Sequence, residues 1–229
     1  SASFIIQCAN LMLYMVLARS LSVDDFASFR QLFLMHAILN AVSFSALPAC
    51  LLYFSGRSQT ESERMEYINS ICIVTFVISA AITLSLYLGS DSLAALLKNP
   101  VLAQIVPYFS IASLGILFII LIPPVLIVLN QPRMQIVIAF GSALLTTVPT
   151  IIFALNGNSL LDIVRVMAIM YLLVGIILLA FILNFCSFPG IQRVPSRDKI
   201  LSILEYSWPL LLASDVSILG LKIDHLLIS

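Results

Sequence analysis

Charged and chemically reactive residues are scarce in this sequence. Only 10% of the 229 residues are charged, the eleven basic and eleven acidic side chains cancel, and there are two histidines and one tryptophan. An ordinary soluble domain carries about 25% charged residues, because its outer surface needs polar side chains. The low charge therefore excludes a cytosolic enzyme, a disordered tail and a nucleic-acid binder.

The sequence also lacks the motifs of catalytic, metal and phosphate sites. The four cysteines lie far apart inside apolar runs, without metal-ligand or redox spacing. This excludes a secreted disulfide scaffold and favours small buried side chains at Cys8, Cys50, Cys72 and Cys186. No nucleophile–base–acid set and no glycine-rich phosphate loop is present either, so we expect no catalytic residue, no metal and no cofactor.

Long apolar runs dominate the chain instead, since 61% of the residues are hydrophobic. A helix needs about 20 apolar residues to cross a bilayer, whereas barrel strands alternate over about ten. The runs therefore predict an all-α polytopic membrane protein with six spans and the beginning of a seventh, and we expect the sixth to face lipid most. The predicted spans are Ala2–Ala18, Leu32–Tyr53, Ile68–Leu88, Val101–Leu129, Arg133–Leu155, Leu160–Phe185 and Ser207–Ile228.

The short polar segments contain capping residues that predict where helices begin. Prolines inside the spans each favour a bend, which membrane helices either merely tolerate or use for rocking during transport. The predicted caps are Ser22 with Asp25, Thr60 with Glu63, Asp91 or Ser92, and Asn158 or Ser159, and the prolines are Pro48, Pro107, Pro123, Pro124 and Pro149.

The longest polar connection divides the chain. Residues 188–205 predict a cytoplasmic linker between an amino-terminal six-helix transmembrane lobe, 1–187, and the first helix of a second lobe, 206–229. Loops after even-numbered spans hold more lysine and arginine than the others, which favours a cytoplasmic amino terminus. Because the chain begins and ends inside apolar runs, we expect it to be a fragment of a longer protein.

Polar side chains repeat at helical spacing inside several spans. Gln7 and Asn10 share one face of the first span, and His36 and Asn40 share one face of the second. A polar group that faces lipid is costly, so these residues face either neighbouring helices or a wet cavity. We expect interhelical hydrogen bonds from the hydroxyl stripes, which are Thr75, Ser79 and Thr83 in the third span and Ser142, Thr146 and Thr150 in the fifth.

The last predicted span carries ionisable residues in an otherwise apolar run, namely Asp215, Lys222, Asp224 and His225. Each Asp or Lys near the bilayer centre costs about 3 kcal/mol, so we expect them to face protein or water. At about 100° per residue, Asp215, Lys222 and His225 lie on one side of the helix. The alternative for the last three is that they have reached the far interface and snorkel there.

Two segments resemble bacterial polysaccharide flippases, of O-antigen or capsule type, in the multidrug/oligosaccharidyl-lipid/polysaccharide exporter superfamily. Leu17–Phe54 begins with the loop motif LARSLSVDDFASFR, in which Ala27 replaces the usual glycine. Glu205–Ser229 contains Pro209 as an early helical residue and an Ile-Asp pair before His225, where an arginine or lysine is common. The number and spacing of the spans are also similar to the family along the whole chain.

The resemblance implies the amino-terminal lobe of a multi-pass transporter in the bacterial inner membrane. Such proteins move a polyprenyl-pyrophosphate-linked oligosaccharide from the cytoplasmic to the periplasmic face by alternating access, with H⁺ or Na⁺ as candidate coupling ions. The implied partners are that lipid-linked sugar, the bilayer and other polysaccharide assembly proteins. Candidate substrate-binding residues in the cleft are Gln7, Asn10, Arg30, His36, Asn40, Asp215, Lys222 and His225.

Two other functions stay open. A drug/cation antiporter of the same superfamily would place acidic residues in the cores of the first six spans, which contain none. A membrane-embedded glycan polymerase or acyltransferase would need a large external loop or several intramembrane histidines and arginines. The chain has neither, so the flippase is the favoured hypothesis.

Overall fold

The structure, a computed structural model, describes residues 2–44, 46–185 and 197–211, which form helices joined by short turns and contain no strand. Residues 197–211 form a helical segment after the last helix with defined ends. The helices with defined ends are α1 (Ala2–Ser20), α2 (Val23–Phe44), α3 (Leu47–Arg57), α4 (Glu61–Leu88), α5 (Ser90–Leu96), α6 (Val101–Val128), α7 (Pro132–Leu155) and α8 (Leu160–Phe185).

Four of these helices, α4, α6, α7 and α8, are long and apolar enough to cross a membrane. Each has 24 residues or more, which at about 1.5 Å per residue exceeds the roughly 30 Å of a hydrocarbon core. The described part of the chain is therefore all-helical with four candidate membrane-spanning helices, in agreement with the class that the sequence predicts.

The second predicted span is divided into two helices. Pro48 lies in the first turn of α3, where its missing N–H is not needed. Inside a continuous helix the same proline would leave the carbonyl of Phe44 without its donor. The break between α2 and α3 follows from Pro48, and it agrees with the bend that the sequence predicts at this proline.

Side-chain caps start three helices where the sequence predicts them. The prediction that Asp91 or Ser92 caps α5 is wrong, because Gly89 is the N-cap residue there and no side chain caps the helix. The confirmed caps are three hydroxyls that accept from a backbone amide three residues later. Ser22 accepts from Asp25 in α2 at 3.2 Å, and Thr60 accepts from Glu63 in α4 at 3.2 Å. Ser159 accepts from Asp162 in α8 at 3.3 Å.

The bundle is built around α6, which contacts α2, α3, α4, α5, α7 and α8. Its closest approach is to α8, where Gly115 and Gly175 face each other. A methyl group on Gly115 would overlap the carbonyl oxygen of Tyr171, and one on Gly175 would overlap the Cα of Gly115. Small residues allow this backbone contact between membrane helices, so two glycines determine how α6 and α8 cross.

The expectation that the sixth span faces lipid most stays a prediction. In α8, 33% of the most apolar stretch is buried, against 28% in α7. Between Arg165 and Asn184 the sequence of α8 lacks strongly polar groups, and Gly175 brings it against the central helix without them.

The hydroxyl stripes donate mainly within their own helices, and one member of each also bonds to another helix as expected. Thr83 donates to the carbonyl of Ser110 in α6 at 3.0 Å, and Thr146 of α7 shares a side-chain hydrogen bond with Tyr171 of α8. Within α7, the hydroxyls of Ser142, Thr146 and Thr150 donate to backbone carbonyls of the same helix. Their short side chains keep the buried face of α7 narrow, and α1 and α8 pack closely against this helix.

The helical segment 197–211 begins inside the predicted linker 188–205. Pro209 lies within this helix, so its expected place in a first helical turn is wrong. The remainder of the linker and of the predicted seventh span, 206–229, lies outside the described residues.

Replacing Gly175 by alanine should destabilise the bundle, because the added methyl group overlaps the backbone of α6. Overpacking of this kind costs about 1–3 kcal/mol, so the midpoint of thermal unfolding in detergent should fall. Gly141→Ala in α7 is the matched control, since a Cβ there meets no atom within 4 Å. Equal unfolding midpoints for the two variants would contradict this account of the α6–α8 contact.

Candidate functional site

The predicted site residues occupy different environments in the described part of the chain. Gln7 and Asn10 of α1 and Arg30 of α2 are exposed, whereas His36 of α2 is buried. The roles predicted for the others stay predictions, because the side chain of Asn40 and the whole of Asp215, Lys222 and His225 lie outside the described residues.

The amides of α1 lie at the edge of its packed face. At about 100° per residue, Gln7 and Asn10 fall between the buried Leu13 and the exposed Leu11. Amides in the middle of an apolar helix are costly when they face lipid. Gln7 and Asn10 are therefore exposed at the edge of the packed face of α1.

The helix next to this edge of α1 is α2. α1 packs mainly on α7, whereas α2 packs on α4 and α6, and aromatic contacts join the two helices near their connecting turn. The Tyr14 ring lies 6.0 Å from that of Phe29 and 5.9 Å from that of Phe33. We call the surface between the two helices the α1–α2 groove and define it by Gln7, Asn10, Tyr14, Arg30 and Phe33.

The α1–α2 groove carries groups that bind anions and sugars. The guanidinium of Arg30 offers five donors in a planar fork that fits phosphate oxygens. The amides of Gln7 and Asn10 both donate and accept, as does the phenol of Tyr14, and these groups match sugar hydroxyls. Arg30 is exposed, so it is accessible to a charged ligand.

His36 lies outside the α1–α2 groove, at the interface of α2 and α6. Its Nδ1 lies 3.3 Å from the hydroxyl of Ser113, within hydrogen-bond distance. Its ring meets the edge of Phe109, with the ring centroids 4.9 Å apart. Of the two environments that the sequence leaves open for His36, the structure shows the contact with a neighbouring helix.

Sequence analysis missed Asn99, which holds the helix that carries Arg30. The Asn99 amide donates to the hydroxyl of Ser28 at 2.9 Å and to the side-chain oxygen of Gln31 at 2.8 Å. These two residues lie on either side of Arg30 in the sequence of α2. Asn99 therefore attaches the part of α2 that carries Arg30 to the loop before α6. The one signal in the sequence is the Asn99-Pro100 pair, which predicts a turn and nothing about its partners.

A separate depression of about 340 Å³ lies between α2 and α4. Among the described residues of its lining, Ser85 provides the one polar side chain. The described lining therefore contains none of the charged and amide groups that the α1–α2 groove carries. Its lining residues are Leu39, Ile78, Ala81, Ile82 and Ser85.

If water fills the α1–α2 groove, cysteines placed at two exposed positions at about the same depth of α1 should react at different rates. Asn10 and Met12 are both exposed but point about 160° apart. In a background with the four native cysteines changed to alanine, Asn10→Cys should react with a charged thiosulfonate at least about tenfold faster than Met12→Cys, because only a thiol in water ionises to the reactive thiolate. Equal rates in membranes would show that this side of α1 is not hydrated.

Among the residues that the structure describes, no group of three His, Cys, Asp or Glu side chains could hold a metal ion. Comparison with protein-family models, with curated proteins and with solved structures finds no match for this chain.

Proposed function

We propose that the chain is the amino-terminal lobe of a transporter that moves lipid-linked oligosaccharide, an O-antigen or capsule repeat unit, across the bacterial inner membrane. The direction is from the cytoplasmic to the periplasmic face, by alternating access and without covalent chemistry. The proposal joins the resemblance of Leu17–Phe54 and Glu205–Ser229 to polysaccharide flippases with the chemistry of the α1–α2 groove.

The lobe in this proposal has six crossings: α1, the α2–α3 pair, α4, α6, α7 and α8. The 19 residues of α1 extend about 28 Å, close to the thickness of a hydrocarbon core. Six crossings return the chain to its starting side, so a second lobe of the same orientation can follow. With the amino terminus in the cytoplasm, residues 206–229 supply the first helix of that lobe.

One observation carries the proposal: Gln7 and Asn10 are exposed in the middle of an apolar helix. In lipid these amides would have no partner. They are accommodated if their side of α1 faces an aqueous gap between two lobes. A non-transporting scaffold has no need for such a gap.

Arg30 is the described cation of the groove, and its place suits a pyrophosphate. Bringing that anion through a medium of low dielectric constant is costly unless positive charge accompanies it. We propose that Lys222 and His225 add positive charge from the first helix of the second lobe. Asp215 then either balances Lys222 or carries the coupling ion, H⁺ or Na⁺.

Changing Arg30 and Lys222 together to alanine should strongly reduce glycan export. In a strain that lacks the gene, complementation by this variant should restore surface polysaccharide about tenfold less well or worse, the effect of a loss of about 1.4 kcal/mol. Surface staining and an immunoblot of the membrane fraction measure export and protein level.

Arg133→Ala is the matched control, because Arg133 is an exposed arginine at the start of α7 and outside the groove. It should complement like the unchanged protein. Normal export by the Arg30 and Lys222 variant would exclude the cationic cleft. Restored drug resistance without any effect on polysaccharide would favour the antiporter.

A further inference from the structure

The helical segment 197–211 is attached to the corner formed by the end of α3 and the start of α4. Lys199 forms an ion pair with Glu66 and lies 4.9 Å from the ring centroid of Tyr67. Seven residues later, Tyr206 stacks on Tyr53 of α3 at 4.2 Å. Two separate contacts therefore hold this helix against the bundle.

Segment 197–211 contacts α4 through Lys199 and α3 through Tyr206. Lys199 and Tyr206 are about 10 Å apart along the helix, which is the usual spacing of two neighbouring helix axes. Their partners lie at one level, because Phe54 stacks on Tyr67 at 5.0 Å and Tyr206 meets Phe54 at 5.5 Å. A helix that crosses a membrane-spanning helix at one level lies in the plane of the membrane.

That level is the polar boundary of α4. Its first six residues include Glu61, Glu63, Arg64 and Glu66, and no charged residue follows from Tyr67 to the end of the helix. In α3 the aromatic residues Tyr53 and Phe54 come just before the exposed Arg57 at the end of the helix. Such a change from charged to apolar residues, marked by aromatic side chains, is typical of the interface between headgroups and acyl chains.

The side of segment 197–211 that faces away from the bundle is apolar from Leu201 onward, and the exposed Arg197 precedes it on the same side. Leu201, Leu204 and Trp208 fall within about 60° of one another on the helix and are 43%, 44% and 66% exposed. The exposed Asp198 and Glu205 form a polar edge beside them. One side packs on protein, one is apolar and exposed, and one is charged.

We infer that residues 197–211 form a helix that lies in the membrane plane and binds lipid at the boundary of headgroups and acyl chains through Leu201, Leu204 and Trp208. Helices with an apolar face and a charged edge bind the bilayer surface in this way. Pro209 cannot donate to the carbonyl of Glu205 and favours a bend there, so an in-plane segment is compatible with the crossing predicted after it.

Trp208 provides the test, because it is the single tryptophan of the chain. We expect its fluorescence, in phosphatidylcholine vesicles that contain the 229-residue chain, to be quenched about twofold more by lipids brominated near the headgroup than by lipids brominated near the acyl-chain end. Aqueous iodide should quench it less than it quenches a free tryptophan analogue in the same vesicles.

Three results would overturn the inference. Strong iodide quenching without quenching by brominated lipid would place Trp208 in water. Stronger quenching from the acyl-chain end would make the segment part of a crossing. Protection from both quenchers would show that another part of the chain covers the apolar side.

A pair of variants tests the assignment of the sides. Leu201→Glu places a charge on the apolar side and should shift the Trp208 emission to longer wavelength, with increased iodide quenching. Ser202→Glu places the same charge on the next residue, away from that side, and should leave the emission unchanged. Equal shifts in the two variants would contradict the inference, and the quenching of the unchanged chain decides it even where Leu201→Glu fails to fold.

Discussion

The contact between Gly115 and Gly175 is the constraint on which the bundle depends. Lipid tails are as apolar as leucine, so helices in a bilayer gain little from hiding apolar surface from lipid and are held by close packing. The two glycines bring the backbones of α6 and α8 together. α6 then lies at the centre, where it reaches six of the other helices. The buried side chains of α7 are small, so α1 and α8 also pack closely against this helix.

This arrangement separates a tightly packed centre from a polar edge. α1 and α2 contact each other little compared with their contacts to α7 and α6, and between them lie the polar groups of the α1–α2 groove. Asn99 and Ser113 bond to side chains of α2 and hold this helix against the bundle. The proposed binding surface for an anionic sugar lipid is therefore attached to the packed centre, and its open side faces the second lobe of the proposal.

The sequence predicted the helices better than it predicted their contacts. The apolar runs predicted the helical membrane class, and local hydrogen bonds placed the starts of α2, α4 and α8, since a cap depends on residues within one turn. The bend predicted at Pro48 is the point where α2 ends and α3 begins. The hydroxyls of α7 donate to their own carbonyls, and Thr146 also shares a side-chain hydrogen bond with Tyr171 of α8, as expected between helices. Asn99 was missed because its partners, Ser28 and Gln31, are far away in the chain.

The candidate site was predictable only in its residue types. Gln7, Asn10 and Arg30 are unusual in an apolar sequence and were identified on that ground, but nothing local separates them from His36, which packs against α6. By itself the sequence determined that the helices of this protein suit a membrane, because composition and the length of apolar runs decide whether a chain enters a bilayer. The tertiary structure alone decided which polar groups face each other, because the crossing of α6 and α8 and the attachment of residues 197–211 depend on the shapes of surfaces that are distant in the chain.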